Sequence, residues 1–152
     1  SGVVREAVLR LGHADGHTAE AEGLELLKLL GSVADELNAV CARDMQMVIA
    51  RVKAIVQIDY ADSALSLGAI AARLGFNAAY LSHLFSSVEQ CGFSEYLTRV
   101  RIQKARALLL TDVKIVSIAQ LVGYSSQPYF STKFRTETGL SPSEYREKYR
   151  KS

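Results

Sequence analysis

Part of this sequence occurs twice, and that repetition limits what the chain can fold into more than any other feature. Displacing the chain by 48 residues superimposes Ile70-Ala71 on Ile118-Ala119 and Gly75-Phe76 on Gly123-Tyr124. After one extra residue in the second copy, a displacement of 49 superimposes Tyr80, Ser82, Phe85 and Ser94-Glu95-Tyr96 on Tyr129, Ser131, Phe134 and Ser143-Glu144-Tyr145. A repeat of this size is one supersecondary unit used twice. Each copy reads as a short helix, a tight turn at a glycine followed by an aromatic, and a second helix with polar residues opposite its apolar stripe. That is the outline of a helix-turn-helix. A plain helical hairpin shares the outline for one copy; two copies joined by a long helix favour the helix-turn-helix.

The periodicity is helical almost throughout. Leu67, Ile70, Ala71 and Leu74 form one face, Leu81, Leu84, Phe85 and Val88 a second, and Ile115, Ile118, Ala119 and Val122 a third, all at three- and four-residue spacing. Start signals stand at Ser66 and at Ser141-Pro142-Ser143-Glu144, and stop signals at Gly75 and Gly123. Two helices that meet steeply need a turn residue free of Cβ constraints, and Phe76 or Tyr124 would plug the angle. From Phe93 to about Leu110 the apolar residues do not keep to one stripe, so this central helix is expected to be sandwiched between others. Its length of roughly 27 Å, with the width of the packed units, suits recognition helices spaced about 34 Å apart, one turn of B-DNA. The fold class is therefore all-α: two helix-turn-helix subdomains on a long central helix, with an N-terminal helical extension.

A chain of 152 residues with 49% hydrophobic and 22% charged content fits one compact domain plus a short extension and excludes disorder throughout. No apolar run nears the ~18 residues of a membrane span, and the residues after Ser1 lack a signal-peptide layout, so a cytoplasmic protein away from membranes is expected. Starting at Ser1 instead of Met, the sequence is expected to be a fragment whose missing N-terminal part carries a sensor. Cys41 and Cys91 lie far apart and form neither a disulfide framework nor a zinc motif. Residues 1–50 carry a net charge of −4 and residues 51–152 a net of +6, which places any polyanion-binding surface in the C-terminal two-thirds.

Residues 118–146, from Ile118-Ala119 through Gly123-Tyr124, Gln127-Pro128-Tyr129-Phe130-Ser131, Phe134 and Gly139-Leu140-Ser141-Pro142 to Tyr145-Arg146, closely resemble the signature of the AraC/XylS family of bacterial transcription regulators. The resemblance reaches back through Arg101-Ile102, Ala105 and Leu108-Leu109 to Ala71, Gly75-Phe76 and Tyr80-Leu81-Ser82, covering roughly residues 48–150. It implies seven helices and sequence-specific binding to double-stranded promoter DNA, usually activating transcription through RNA polymerase. It also implies that the second helix of each unit reads DNA, at Asn77, Ala78, Ala79, Ser82 and His83 in the first and at Ser126, Gln127, Pro128, Ser131, Thr132 and Lys133 in the second.

Asn77 doubles as a helix N-cap, and Ser82 and His83 are the base-edge candidates, whereas Ala78 and Ala79 offer only methyl contact. The first half-site is therefore expected to be permissive. Gln127 suits adenine and Lys133 a phosphate, while Pro128 requires a first helical turn capped by Ser125 or Ser126. Of Arg99, Arg101, Lys104, Arg106 and Arg135, two are expected to touch phosphate, and Arg101 has a structural ion pair as its alternative. The sequence departs from the family at Gln90, where glycine is frequent, so the first recognition helix is expected to run further before it turns. Ala69, at the position of a capping Glu, weakens the Ser66 cap by about 0.5 kcal/mol or more.

Before residue 48 the resemblance is silent. Leu26, Leu30, Val33, Leu37 and Val40 keep heptad-like spacing, and a shifted seam of Cys41, Met45, Val48, Val52 and Ile55 follows. Two readings stand: a signalling helix that pairs with its twin in a homodimer, or a helix packed on the sensor. His13, Asp15 and His17 sit among glycines and read as a loop with no metal. No phosphate loop, GxSxG or HExxH motif points to an enzyme, and no cofactor is expected. The alternatives to a regulator are a nonspecific architectural DNA-binding protein and a helical protein-interaction module.

Overall fold

Side-chain caps mark where the helices begin. In the computed structural model, which describes residues 19–150, Ser66 Oγ accepts a hydrogen bond from the Ala69 N–H and Asn77 Oδ1 one from the Tyr80 N–H, both at 3.1 Å. Ser126 Oγ accepts from the Tyr129 N–H at 3.4 Å, which decides between the two expected caps and puts Pro128 in the first turn, where its missing N–H costs nothing. Ser141 and Glu144 cap reciprocally: the Ser141 N–H donates to the Glu144 carboxylate at 2.7 Å, and Ser141 Oγ accepts from the Glu144 N–H at 3.2 Å. The described residues form seven helices and no strand: α1 (Ala19–Asp59), α2 (Leu67–Leu74), α3 (Ala78–Glu89), α4 (Phe93–Leu109), α5 (Ile115–Leu121), α6 (Gln127–Thr138) and α7 (Pro142–Arg150).

Helix ends follow backbone permissiveness, with one exception. Gly75 and Gly139 end α2 and α6 at φ of +75° and +80°, where L side chains are strained. The expectation that α3 overruns is corrected: α3 stops at Glu89, and Gln90 itself adopts the left-handed conformation at φ +58°. Its side-chain amide donates to the Ser87 carbonyl at 2.6 Å, supplying a partner to an acceptor the helix end leaves free. That bond offsets part of the roughly 1 kcal/mol a side chain costs in this conformation.

Two hydrophobic cores share α4. Leu97 and Val100, near its start, pack with Ile49, Val52, Val56, Ile70, Leu81 and Phe85; Ile102, Ala105 and Leu109, further on, pack with Ile118, Val122, Phe130 and Phe134. The helix is thus buried on several sides, as its broken stripe requires, and it contacts α3, α5, α6 and α7. The repeat is visible in three dimensions. Phe85 meets Tyr96 edge-to-face at 5.4 Å in the first unit, and the matching pair Phe134 and Tyr145 does so at 5.3 Å in the second.

Within α1 the chain divides into two units, residues 1–47 and 48–152. The expected seam over Cys41, Met45, Val48, Val52 and Ile55 is corrected: the buried stripe is Ile49, Val52 and Val56, flanked by Val48 and Ile55, while Cys41 and Met45 are exposed. The i, i+3, i+7 face that meets the first core decides the phase. In the other unit, Leu24, Leu30, Leu37 and Val40 are exposed along α1. His13, Asp15 and His17 lie outside the described residues.

Candidate nucleic-acid interface

The recognition helices turn their apolar sides inward and their short polar residues outward. Burial of Leu81, Leu84 and Phe85 leaves Ala78, Ala79, Ser82 and His83 exposed on α3, with Ala79, Ser82 and His83 on one face at i, i+3, i+4. On α6, burial of Phe130 and Phe134 leaves Gln127, Pro128 and Thr132 exposed, with Ser131 and Lys133 half-buried. Several candidates already have internal partners. Asn77 and Ser126 spend their side-chain oxygens on caps, Thr132 Oγ1 donates to the Pro128 carbonyl at 3.1 Å, and Lys133 Nζ lies 5.5 Å from the centre of the Tyr129 ring.

Two neighbouring clefts border the helices. One cleft is lined by Ala78, Ala79 and Ser82 of α3 together with Ser94 and Leu97 of α4; a second shares Ser94 and Leu97 and continues to Ser125 and Tyr129 at the start of α6. Of the residues expected to read DNA, Ala78, Ala79 and Ser82 line the first of these clefts. Tyr80 and Tyr129, 50% and 55% exposed, occupy matching places on α3 and α6. Sequence reasoning aligned them as repeat partners without assigning them to the interface. The repeat marks an aromatic at the third position of both helices, and the packing then leaves both exposed.

The five basic candidates separate. Arg99 is exposed and pairs with Glu95 one turn earlier. Arg106 donates to the Tyr145 hydroxyl at 3.2 Å, and Lys104 lies over the Tyr60 ring, its Nζ 5.4 Å from the centroid. Arg135 is exposed in the last turn of α6. Arg101 is a correction, because it is 8% exposed and donates through Nε to the Tyr60 carbonyl and through Nη2 to the Asp62 carbonyl, each at 2.8 Å. It neither faces a phosphate nor forms the anticipated ion pair; its partners are backbone carbonyls. Burial holds its pKa below the ordinary arginine value. Its neighbour Tyr124, 6% exposed, has its phenol pushed up by burial, against the opposing effects of the Thr98 side chain and the Arg101 charge.

No group of His, Cys, Asp and Glu among the described residues could hold a metal ion, and no described helix is long and apolar enough to cross a membrane. A family profile described as a helix-turn-helix domain matches residues 70–148, just over half of the chain and both units. The chain belongs to the AraC/XylS family of transcription regulators. It is 40% identical over 96 residues to the uncharacterized HTH-type transcriptional regulator YijO of Escherichia coli K12, a match covering 60% of this chain and 34% of that protein. The C-terminal domain of AraT, a response regulator from Geobacillus stearothermophilus, superimposes with a TM-score of 0.65 at 36% identity, covering 66% of this chain and 84% of that one. The DNA-binding domain of AdpA, a global transcriptional factor solved in complex with a target DNA, superimposes with a TM-score of 0.64 at 25% identity over 68% of this chain and 93% of that one. The AraC/XylS family is one of regulators and not of enzymes. The chain spans about a third of the length of YijO.

Proposed function

We propose that this chain regulates transcription by placing α3 and α6 in two successive major grooves of promoter DNA. The observation that carries the reading is the likeness, over 68% of this chain, to a domain whose structure contains its target DNA, beside the exposed polar faces of α3 and α6. In this reading Gln127 pairs with an adenine edge, Ser82 and His83 approach bases, and Ala78 and Ala79 offer methyl contact to thymine. Ser131 and Thr132 line the second helix's approach, and the caps Asn77 and Ser126 lie where the helix ends meet the backbone. Lys133 serves a phosphate, and two of Arg99, Lys104, Arg106 and Arg135 do the same.

The chain acts by binding in the cytoplasm and not by catalysis, and activation proceeds through contact with RNA polymerase. The exposed leucines of α1 leave both readings of residues 19–47 in place: a helix that pairs with its twin, or one that packs against a sensor.

Selection of duplexes from a random pool near physiological salt tests this. The expected product is an asymmetric site of two short blocks about one helical turn apart, with less information in the block read by α3. Gln127→Ala combined with His83→Ala should lower affinity for that site by about tenfold or more with helicity unchanged, since one bidentate base contact is worth ~1–3 kcal/mol. Unaltered binding would remove both residues from the interface.

A further inference from the structure

Tyr60 packs against both cores, and two other elements converge on it. It belongs to the loop between α1 and α2, in the first helix-turn-helix unit. From α4, Arg101 donates to the Tyr60 and Asp62 carbonyls, and Lys104 covers the Tyr60 ring. From the turn of the second unit, Tyr124 lies against the Arg101 guanidinium, 5.4 Å from ring centre to Cζ. Gly123 approaches so closely that a Cβ there would stand 2.6 Å from the Tyr60 carbonyl oxygen and 2.9 Å from Arg101 Nε.

We propose that Arg101 is a positioning residue that locks the two helix-turn-helix units at one angle about α4 and thereby sets the half-site spacing this chain accepts. The proposal rests on the two-groove reading above. A continuous helix fixes distance along its axis, but what packs around each half is free to twist unless something ties the two sides together. Arg101 supplies that tie. Its rigid fork holds two carbonyls of the first unit at once, while its face and edge meet the turn of the second. With the guanidinium buried, neither carbonyl can move away without leaving a charged donor unpaired out of water, so the joint resists gradual loosening. Lysine offers a single nitrogen in place of the planar fork and cannot reproduce the grip of Nε and Nη2 on separate carbonyls.

The consequence is read on DNA. Inserting one base pair between half-sites displaces the second groove by about 3.4 Å and turns it by roughly a tenth of a revolution, which a locked pair of helices cannot follow. The test uses the full chain with Arg101→Met and Arg101→Lys, on the selected duplex and on versions lengthened by one and two base pairs. The unaltered chain should lose about tenfold in affinity or more per insertion, Arg101→Met about threefold or less, with Arg101→Lys between them. A second measurement needs no DNA: spin labels on cysteines at Ser86 and Thr136, with Cys41 and Cys91 replaced by serine, should give one narrow distance in the parent and a broadened one in Arg101→Met. A melting temperature that falls while spacing tolerance and the distance distribution stay as in the parent would overturn the proposal and leave Arg101 a stabilising residue only. Should the parent select a single block, the two-groove reading fails, and the label distances alone decide whether the joint is locked.

Discussion

The two helix-turn-helix units carry one plan executed with different chemistry. The first borrows part of its core from Ile49, Val52 and Val56 of α1, whereas the second fills its own with a chain of aromatic contacts, Tyr124 to Phe130 at 5.5 Å, Phe130 to Phe134 at 5.7 Å and Phe134 to Tyr145 at 5.3 Å. From the helix after each recognition helix an arginine reaches back to two backbone carbonyls, Arg101 to those of Tyr60 and Asp62 and Arg146 to those of Leu109 and Val113, but the arginines that match by sequence differ. Arg101 is buried on carbonyls, while its repeat partner Arg150 is exposed and pairs with the Asp112 carboxylate. At the starts of α4 and α7 the matching residues are Gly92 and Ser141, so Glu144 caps its helix while Glu95 turns to Arg99. A repeat thus conserves geometry where helices cross and leaves the ends free to take different bonds.

The sharpest way to break this comparison is at its matching core positions. Phe85→Ala and Phe134→Ala each empty a fully buried site and should each cost ~3–5 kcal/mol. Because α4 runs through both cores, either change should lower one common melting transition; two separate transitions in calorimetry would show units that fold independently.

Next in size is the pair of turn glycines. Both have positive φ, but a Cβ at Gly75 meets nothing within 4 Å, whereas one at Gly123 meets Tyr60 and Arg101 below or near 3 Å. Gly75→Ala should cost about 1 kcal/mol from backbone strain alone, and Gly123→Ala roughly 2–4 kcal/mol once the overlap is added. Equal costs in denaturant titrations would mean the joint yields easily.

Gln90 and Gly92 offer smaller gains. Gln90→Gly relieves the left-handed strain and should add about 0.5 kcal/mol, less than the full strain because the bond to Ser87 is lost. Gly92→Ser should add about 0.5–1 kcal/mol by giving α4 the cap that α7 has, since the site has room and an ordinary negative φ.

The smallest effect is on acid titration. The Ser141 amide and hydroxyl hold the Glu144 carboxyl below its ordinary 4.5. A carboxylate whose folded pKa is depressed adds stability that is present above its unfolded pKa and lost as pH falls through the folded one. Carboxyl titration by NMR should show Glu144 below its ordinary value in the parent, moving back toward it in Ser141→Ala.

The glycine-aromatic turns, the apolar faces and the caps at Ser66, Asn77, Ser126 and Ser141 were legible because each depends on residues within four positions of one another. Gln90 was misread for a related reason: a local rule assigns glycine to the left-handed conformation, and the side-chain bond that lets glutamine adopt it appears only once the turn is built. Arg101 was legible as a motif position and not as a joint. An arginine on a helix reads the same whether it faces solvent, a phosphate or carbonyls some 40 residues away. The exposure of Tyr80 and Tyr129 depended likewise on which side of each helix met the core.

The sequence by itself determined that this chain is helical, that it contains one unit twice, where most helices start and stop, and to which family it belongs, since all of these are carried by short-range spacing and capping. Only the tertiary structure decided the phase of α1 against the first core, the burial of Arg101 and the contact of Gly123 with Tyr60. Those depend on which distant backbone groups the packed cores bring within hydrogen-bond reach, and no spacing along the chain encodes that distance.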